Sequence, residues 1–240
     1  MIKQIGFVMS LALLPFFEFF RGTPHQQAAI KELEDSIPEE LLADDAAWFE
    51  AWKASGISQR AFVPYFHQLD DPDGDGDRQC LTAAAAMIAA TYGKVDFYDE
   101  YKQVRERFGD TTTVYAHIKA LKSLGLNAEF RMDADRYMVE HEIASGRPVL
   151  VGWLHRGPAD NPHCGSATCG HWSVITGYEG IYSPDSFWVM HDPYGIPDLE
   201  LGQHQTRALG KNVRISRAAF DQRWQVEGRM TGWAILVSDD

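Results

Sequence analysis

The chain has few cysteines and little positive charge. Its 240 residues include three cysteines, which are too few for a disulfide framework. The 22 basic and 34 acidic residues give a formal net charge of −12, so the sequence lacks the basic surface that a general nucleic-acid binder requires. With 45% apolar and 23% charged residues, the composition excludes a mainly disordered chain. We therefore expect a globular protein with no nucleic-acid partner.

Long hydrophobic runs are also absent after the first 20 residues. The apolar run from Ile5 to Phe17 has the length of a signal-peptide core and is short for a membrane span. Pro15 and Glu18 count against a spanning helix, and no small-residue cleavage site follows. Residues 1–20 therefore predict an export signal or membrane anchor first, a helix docked in a larger assembly second, or a helix packed on its own domain. The first two interpretations place the protein in the cell envelope or in a virion.

Hydrophobic periodicity divides the chain into an appendage at residues 1–60 and a compact domain at residues 61–240. The appendage is helical, with an aromatic stripe that suits packing on the main domain or on a partner. The compact domain places helices first and strands afterwards, which predicts an α+β fold with an antiparallel sheet packed on a helical lobe. The predicted helices cover 80–92, 97–108, 111–124, 135–145 and 217–224. The predicted strands cover 62–66, 128–130, 148–154, 172–178, 186–190, 213–215 and 233–237.

Cys80 lies where a polar, glycine-broken loop meets a helix of small residues, LTAAAAMIAAT at 81–91. The unpaired N–H groups and the dipole of a helix N-terminus favour an anion, so a thiolate is favoured at this position. A thiolate is a nucleophile, and this placement indicates covalent catalysis. Such catalysis requires an imidazole within hydrogen-bond reach and a third group that orients it.

His171 and Asp192 are the candidates for those two roles. His171 opens the predicted strand at 172–178, and Asp192 follows the next strand, where Pro193 ends the ladder. If the two strands form a hairpin, its open ends bring the imidazole and the carboxylate together. Each residue alone also has a structural interpretation: Cys80 as a small buried side chain, His171 as a strand residue and Asp192 as a turn former.

Five motifs in one order resemble those of papain-like cysteine peptidases, specifically the bacteriocin-processing-like peptidases and their stand-alone relatives in bacteria and phages. The motifs are VPYFHQ at 63–68, QC at 79–80 before the small-residue helix, GRPVLVG at 146–152, GHWSVITG at 170–177 and HDPYG at 191–195. The resemblance covers residues 61–238 and implies a papain-like fold. It implies that Cys80 is the nucleophile, that His171 is the general base and then the acid, and that Asp192 is the orienting residue.

The resemblance also implies a glutamine amide that donates to the oxyanion. Gln68 ends the VPYFHQ motif and takes this role, with Gln79 as the rival. Gln79 adjoins the nucleophile and is therefore badly placed to reach around to the oxyanion. The resemblance requires no cofactor.

The loop between Gln68 and Cys80 is rich in aspartate. Asp71, Asp73, Asp75 and Asp77 occupy positions 1, 3, 5 and 7 of a calcium-loop pattern, with glycine at position 6. Thr82 stands at position 12, where the bidentate acid is expected, so an ordinary EF-hand is excluded. A partial calcium site and a solvated acidic loop both remain open.

Cys164 and Cys169 flank four small residues just before His171. They can close a disulfide if the loop folds back, which suits an oxidising compartment. Free thiols are the alternative, and a zinc site with His163 or His171 ranks below both because it would consume the base.

The leading functional hypothesis is a cysteine peptidase that cleaves peptide or amide bonds, including the peptides of peptidoglycan, in a phage or bacterial context. The alternative is a structural or adaptor component of an assembly such as a virion, with residues 1–20 as a membrane or assembly contact. An acyltransferase that uses the same three residues is a third option.

Overall fold

The computed structural model describes residues 58–59 (backbone only), 63–71, 73–162, 170–180, 186–206 and 209–239. The apolar segment 1–20, nearly all of the predicted appendage 1–60, and the Cys164–Cys169 pair lie outside the described residues. Within the described part, no helix has both the length and the apolar character that crossing a membrane demands.

Among the described residues, five α-helices form where the sequence predicts them. Asp135 caps one of them, since its Oδ1 accepts from the backbone N–H of Met138 at 2.9 Å. In chain order the helices are α1 Cys80–Thr91, α2 Tyr98–Glu106, α3 Val114–Ser123, α4 Arg136–Ala144 and α5 Arg217–Trp224. Two short 3₁₀ turns, Gln68–Asp70 and Gly76–Arg78, precede α1.

In the described part of the chain, nine strands form one large antiparallel sheet and one small hairpin. In chain order they are β1 Ser58–Gln59, β2 Asn127–Ala134, β3 Val149–Leu154, β4 Gly170–Glu179, β5 Phe187–His191, β6 Gly195–Asp198, β7 Gln203–Thr206, β8 Val213–Ser216 and β9 Gly232–Ser238. The large sheet has the order β2-β9-β3-β4-β5-β8, and β1 pairs with β4. Among the described strands, β6 and β7 pair only with each other.

The sheet separates two hydrophobic cores. Alternate residues of β3 and β4 face opposite sides, so Leu150 and Val174 pack with α1 while Val151 and Ile175 pack with α5. Helix α1 is buried along Leu81–Ala89, as expected for a helix that is apolar on every side. The α+β prediction is confirmed.

One local prediction is wrong, and one element was not predicted. Residues 63–66, predicted as part of an edge strand, are in no strand. Hydrogen bonds to residues 191–193 hold this segment instead of strand pairing. The Val63 carbonyl accepts from His191 Nε2 at 3.0 Å, and the Gln68 N–H donates to the Pro193 carbonyl at 2.8 Å. The β6–β7 hairpin was not predicted, because Pro197 lies inside it and proline removes a ladder donor.

Candidate active site

Cys80 is the first residue of α1 and is a free, half-buried cysteine. The two 3₁₀ turns before it lead the chain directly into the helix, so the thiol sits at the end where backbone N–H groups are unpaired. The position matches the one predicted from the sequence. It gives a thiolate the favourable end of the α1 dipole.

His171 and Asp192 lie together because β4 and β5 pair antiparallel, with Val174 opposite His191. His171 Nε2 is 2.9 Å from Asp192 Oδ1 and 3.0 Å from Oδ2. Both side chains are buried, with exposed fractions of 4% and 0%. The hairpin that the sequence predicted therefore brings the two side chains into direct contact.

The His171 imidazole also interacts with the Cys80 thiol. Its Nε2 atom is engaged by Asp192, so the thiol is left with Nδ1 as the partner nitrogen. Burial lowers the pKa of His171, but the Asp192 carboxylate and then Cys80 raise it to a final value of about 10. The ring is therefore an imidazolium near neutral pH, between a carboxylate and a thiol.

Four hydrogen-bond donors hold the Asp192 carboxylate. Besides His171, its oxygens accept from Ser173 Oγ at 2.9 Å, the Tyr194 N–H at 2.9 Å and His204 Nε2 at 3.2 Å. Burial acts to raise the pKa of this carboxyl, but His171 and His204 together hold it well below its usual range. The carboxylate is thus ionised and fixed in position.

Ser173 and His204 were not identified from the sequence. Ser173 carried a usable signal, because it stands two residues after His171 and so projects from the same face of β4. Its hydroxyl in turn accepts from Trp153 Nε1 at 3.0 Å. His204 lies on β7, in the hairpin that was not predicted, and nothing local distinguishes it from the other histidines.

Gln68 is buried at 2% exposure, in the first 3₁₀ turn. Its Nε2 donates to the Gly76 carbonyl at 2.7 Å, which uses one of the two amide hydrogens. The second 3₁₀ turn approaches so closely that a Cβ on Gly76 would lie 2.5 Å from the Gln68 carbonyl oxygen. The acidic loop therefore folds back and fixes the Gln68 side chain.

Gln79, the rival for the oxyanion role, is engaged elsewhere. Its Oε1 accepts from Thr111 Oγ1 at 2.8 Å, and its Nε2 lies 3.4 Å from Asp75 Oδ2. These contacts tie the side chain to α3's leading loop and to the acidic loop.

The four aspartates of the acidic loop do not converge on one point. Lys102 Nζ from α2 lies 2.8 Å from both Asp71 oxygens and 2.6 Å from Asp73 Oδ2. Asp75 faces Gln79 and Arg78, and Asp77 accepts from Tyr194 Oη at 3.3 Å. An ammonium thus occupies the place between the first two carboxylates that the calcium prediction gave to a cation, so this arrangement does not favour a calcium site.

Burial and pairing act in opposite directions on the pKa values of Asp71 and Lys102. Burial acts to raise the pKa of Asp71, but the Lys102 and Tyr98 hydrogen bonds hold it below its usual value. Burial acts to lower the pKa of Lys102, but the two aspartates raise it. The pair therefore stays ionised and fastens the acidic loop to α2.

Within the described residues, one set has the spacing of a metal site: His171, Asp192 and His204, whose ligand atoms lie within 4.8 Å of one another. These are the residues already joined by hydrogen bonds at the candidate active site.

A family model for the Peptidase_C39 like family matches residues 61–230. The chain belongs to this family. The Peptidase_C39 like family consists of papain-like cysteine peptidases, so the chain is a cysteine peptidase with a papain-like fold, as the sequence predicted. A search of curated proteins found no match.

Three solved structures are similar to this chain, and the first of them supports the papain-like fold. A C39-like peptidase from Bacillus anthracis is 16% identical, covers 77% of this chain and 98% of its own, and superposes with a TM-score of 0.51. The peptidase domain of Streptococcus ComA, a bifunctional ABC transporter, is 19% identical over 68% of this chain and 93% of its own, with a TM-score of 0.43. A double-glycine-motif protease from an AMS/PCAT transporter, in complex with its leader peptide, is 19% identical over 75% and 93%, also with a TM-score of 0.43.

Proposed function

We propose that Cys80, His171 and Asp192 form a catalytic triad that hydrolyses peptide bonds. The observation that supports this proposal is the position of the His171 ring, which bonds to the Asp192 carboxylate through one nitrogen and faces the Cys80 thiol with the other. Nucleophile, base and orienting group are thereby in contact in the order that nucleophilic catalysis requires.

In the first half of the reaction, the Cys80 thiolate attacks the carbonyl carbon of the scissile bond and forms a C–S bond. The tetrahedral intermediate then collapses, the C–N bond breaks, and the His171 imidazolium gives its proton to the leaving amine. An acyl-enzyme thioester remains. Water attacks the thioester carbonyl while His171 takes a proton from the water. The C–S bond then breaks and releases the carboxylic acid and the Cys80 thiolate.

Asp192 keeps its negative charge through both halves. Its contact with Nε2 fixes the ring so that Nδ1 stays directed at the thiol and at the leaving amine. Its charge stabilises the imidazolium form, in agreement with the raised pKa of His171.

The negative oxygen of the tetrahedral intermediate needs hydrogen-bond donors. We assign this role to the backbone N–H of Cys80, at the start of α1, and to the second amide hydrogen of Gln68. The Gln68 side chain is suited to it, because its contact with the Gly76 carbonyl fixes the amide before substrate binds.

Replacing Gln68 with alanine is expected to lower kcat by about 10²–10³-fold while leaving residual hydrolysis, because one of two oxyanion donors is lost. The matched control is Gln79→Ala, which removes a buried glutamine from the same loop but none of the proposed oxyanion contacts. Steady-state kinetics on one peptide substrate compares the two variants. Equal losses in both would contradict the assignment of Gln68.

The substrate that we propose is a peptide, and more specifically the peptide part of peptidoglycan in a bacterial or phage setting. Two features support the finer proposal: the resemblance to stand-alone relatives in bacteria and phages, and the apolar residues 1–20, which suit an enzyme that reaches or crosses a membrane. The leader peptide bound by the AMS/PCAT protease supports a peptide substrate in general. A cell-envelope or virion location follows as part of the same proposal.

Digestion of purified peptidoglycan and of a peptide library, followed by mass spectrometry, tests the function. The expected result is a set of new termini that the wild-type protein produces and Cys80→Ala does not. Products from the library alone would keep the peptidase and remove peptidoglycan as the substrate. A wild-type protein that cleaves neither substrate is the result expected of a structural component of an assembly.

A further inference from the structure

Three imidazoles cluster beside Asp192. The ring centroids of His171 and His204 are 4.7 Å apart, and the His155 centroid lies 5.3 and 5.4 Å from those two. Of these rings, His171 and His204 hydrogen bond to the Asp192 carboxylate. His155 packs against both rings but has no hydrogen bond to Asp192 among the described residues. His155 is therefore a suitable control residue for His204.

The two imidazoles on Asp192 carry different charges. The pKa of His204 is lowered, first by burial and then by the neighbouring His171 charge, although Asp192 opposes the change. The pKa of His171 is raised, because Asp192 and, to a smaller extent, Cys80 outweigh the opposing effect of burial. Two cations on one buried carboxylate would repel each other, so the proton charge settles on the ring that also faces the thiol.

The hydrogen-bond pattern fixes the tautomer of His204. Its Nε2 is 3.2 Å from Asp192 Oδ2, and an ionised carboxylate only accepts, so Nε2 carries the hydrogen. Its Nδ1 is buried and has no partner among the described protein atoms. The side chain is 1% exposed, so the ring is held in place by packing and by this one donated bond.

The chain positions His204 through the hairpin that follows Asp192. Strand β6 begins three residues after the carboxylate, and β7 returns antiparallel with His204 opposite Pro197. Within the residues that the structure describes, this hairpin pairs with no strand of the large sheet. This hairpin brings a second imidazole into hydrogen-bond contact with Asp192.

We propose that His204 is a positioning residue for the reaction: a neutral imidazole whose Nε2–H holds the Asp192 carboxylate in the orientation that keeps His171 directed at Cys80. This inference rests on the proposed function of the triad. It adds a residue that touches neither substrate nor thiol and acts through Asp192. Ser173 and the Tyr194 N–H hold the same carboxylate, and His204 is the imidazole among these supports.

Other titratable or charged groups face this cluster. They are Cys80 at the start of α1, His155 and Arg156 after β3, Tyr194 before β6, and Asp77 beside Tyr194. Burial lowers the pKa of His155 to about 3, so this ring is neutral and does not titrate in the range of the experiment. Near neutral pH, the charged partner of Asp192 is therefore His171. His204 would be a second charged partner only in its protonated form.

Three variants of the full chain test the proposal. His204→Gln keeps an N–H donor near the position of Nε2, and His204→Phe fills the volume without a donor. His155→Phe is the matched control, because it removes an imidazole from the same cluster without touching Asp192. The first readout is the rate of Cys80 alkylation by iodoacetamide across a pH series, located by peptide mass spectrometry. It needs no knowledge of the natural substrate, and melting temperatures report folding.

The expected result for His204→Phe is alkylation of Cys80 about tenfold slower on the acid side of neutrality, with the rates of the variant and the wild type converging in alkali. On a peptide substrate, kcat falls about 10–100-fold, the usual effect of losing an outer partner of a site residue, while KM stays unchanged. His204→Gln and His155→Phe retain the wild-type profile and most of kcat.

Each other outcome contradicts the inference. If a folded His204→Gln is as impaired as His204→Phe, the donated N–H is not what matters. If His155→Phe matches His204→Phe, the effect is packing in the cluster. If a folded His204→Phe behaves as wild type, Asp192 needs no second imidazole. A wild-type Cys80 that reacts no faster below neutrality than an ordinary thiol would contradict the proposed triad as well, and this separates the two failures.

Discussion

Cys80→Ala is expected to abolish peptide hydrolysis, with a fall in kcat on the order of 10⁴–10⁶-fold, as for removal of a nucleophile from a catalytic triad. No covalent intermediate can form without the thiol, and the alanine methyl offers no substitute. The substitution removes a half-buried sulfur at a helix start and leaves α1 intact. The measurement is initial rate on a peptide that the wild-type protein cleaves, at matched protein concentration.

Cys80→Ser is the control for this first prediction. Serine keeps a hydrogen-bonding group next to His171 but is a much weaker nucleophile at neutral pH, so it should be nearly as inactive as alanine. Equal melting temperatures of the three proteins show that the loss is chemical. A Cys80→Ala protein with full activity would end the assignment of Cys80 as nucleophile.

Asp192→Asn is expected to lower kcat by about 10³–10⁴-fold, as loss of the orienting carboxylate does in a catalytic triad. Two effects combine. The neutral amide no longer stabilises the His171 imidazolium, so the raised pKa of His171 falls toward its ordinary value. An asparagine also brings two N–H donors into a site where His171, Ser173 and the Tyr194 N–H already donate, so at least one pair of donors conflicts.

Asp198→Asn is the matched control for Asp192. It makes the same chemical change on β6, where the Asp198 side chain accepts from the N–H groups of Glu200 and Leu201. An asparagine oxygen still accepts those bonds, so kcat should not change. Circular dichroism and melting temperatures confirm that both variants fold. Equal kcat for Asp192→Asn and the wild type would remove Asp192 from the mechanism.

Much of this arrangement could be predicted because the signals are local. The small-residue run after Cys80 predicts a buried helix with the thiol at its start, and α1 has those properties. The two β-rich segments that end near His171 and Asp192 predict a hairpin, and β4 pairs with β5. A helix start and a hairpin each depend on residues that are close together in the chain, so their signals can be read from a short stretch of sequence.

The missing parts depend on contacts between distant residues. Lys102 lies 31 residues from Asp71, and nothing in the helical pattern of α2 indicates that its ammonium enters the acidic loop. The sequence left a partial calcium site and a solvated acidic loop open, and neither interpretation included this internal ion pair. His204 was missed for a related reason, since the hairpin that carries it contains a proline and few β-branched residues.

The strand predicted before Gln68 does not form, because tertiary contacts there outweigh the local sequence preference. Its sequence is β-prone, yet its groups bind to the Asp192 region: Tyr65 Oη donates to the Asp192 carbonyl at 2.9 Å and accepts from the Gly210 N–H at 3.0 Å. Tertiary contacts here override local propensity. The same contacts place Gln68 beside Pro193, next to the candidate triad.

The central claim, a thiol activated by His171, is tested most directly by the alkylation rate of Cys80 at neutral pH. Iodoacetamide should modify Cys80 in the folded protein much faster than in the urea-unfolded chain, because the adjacent His171 activates the thiol as a nucleophile. His171→Gln should remove this advantage while the protein stays folded. If Cys80 of the folded wild-type protein reacts no faster than in the unfolded chain, or if His171→Gln leaves its rate unchanged, the account is contradicted.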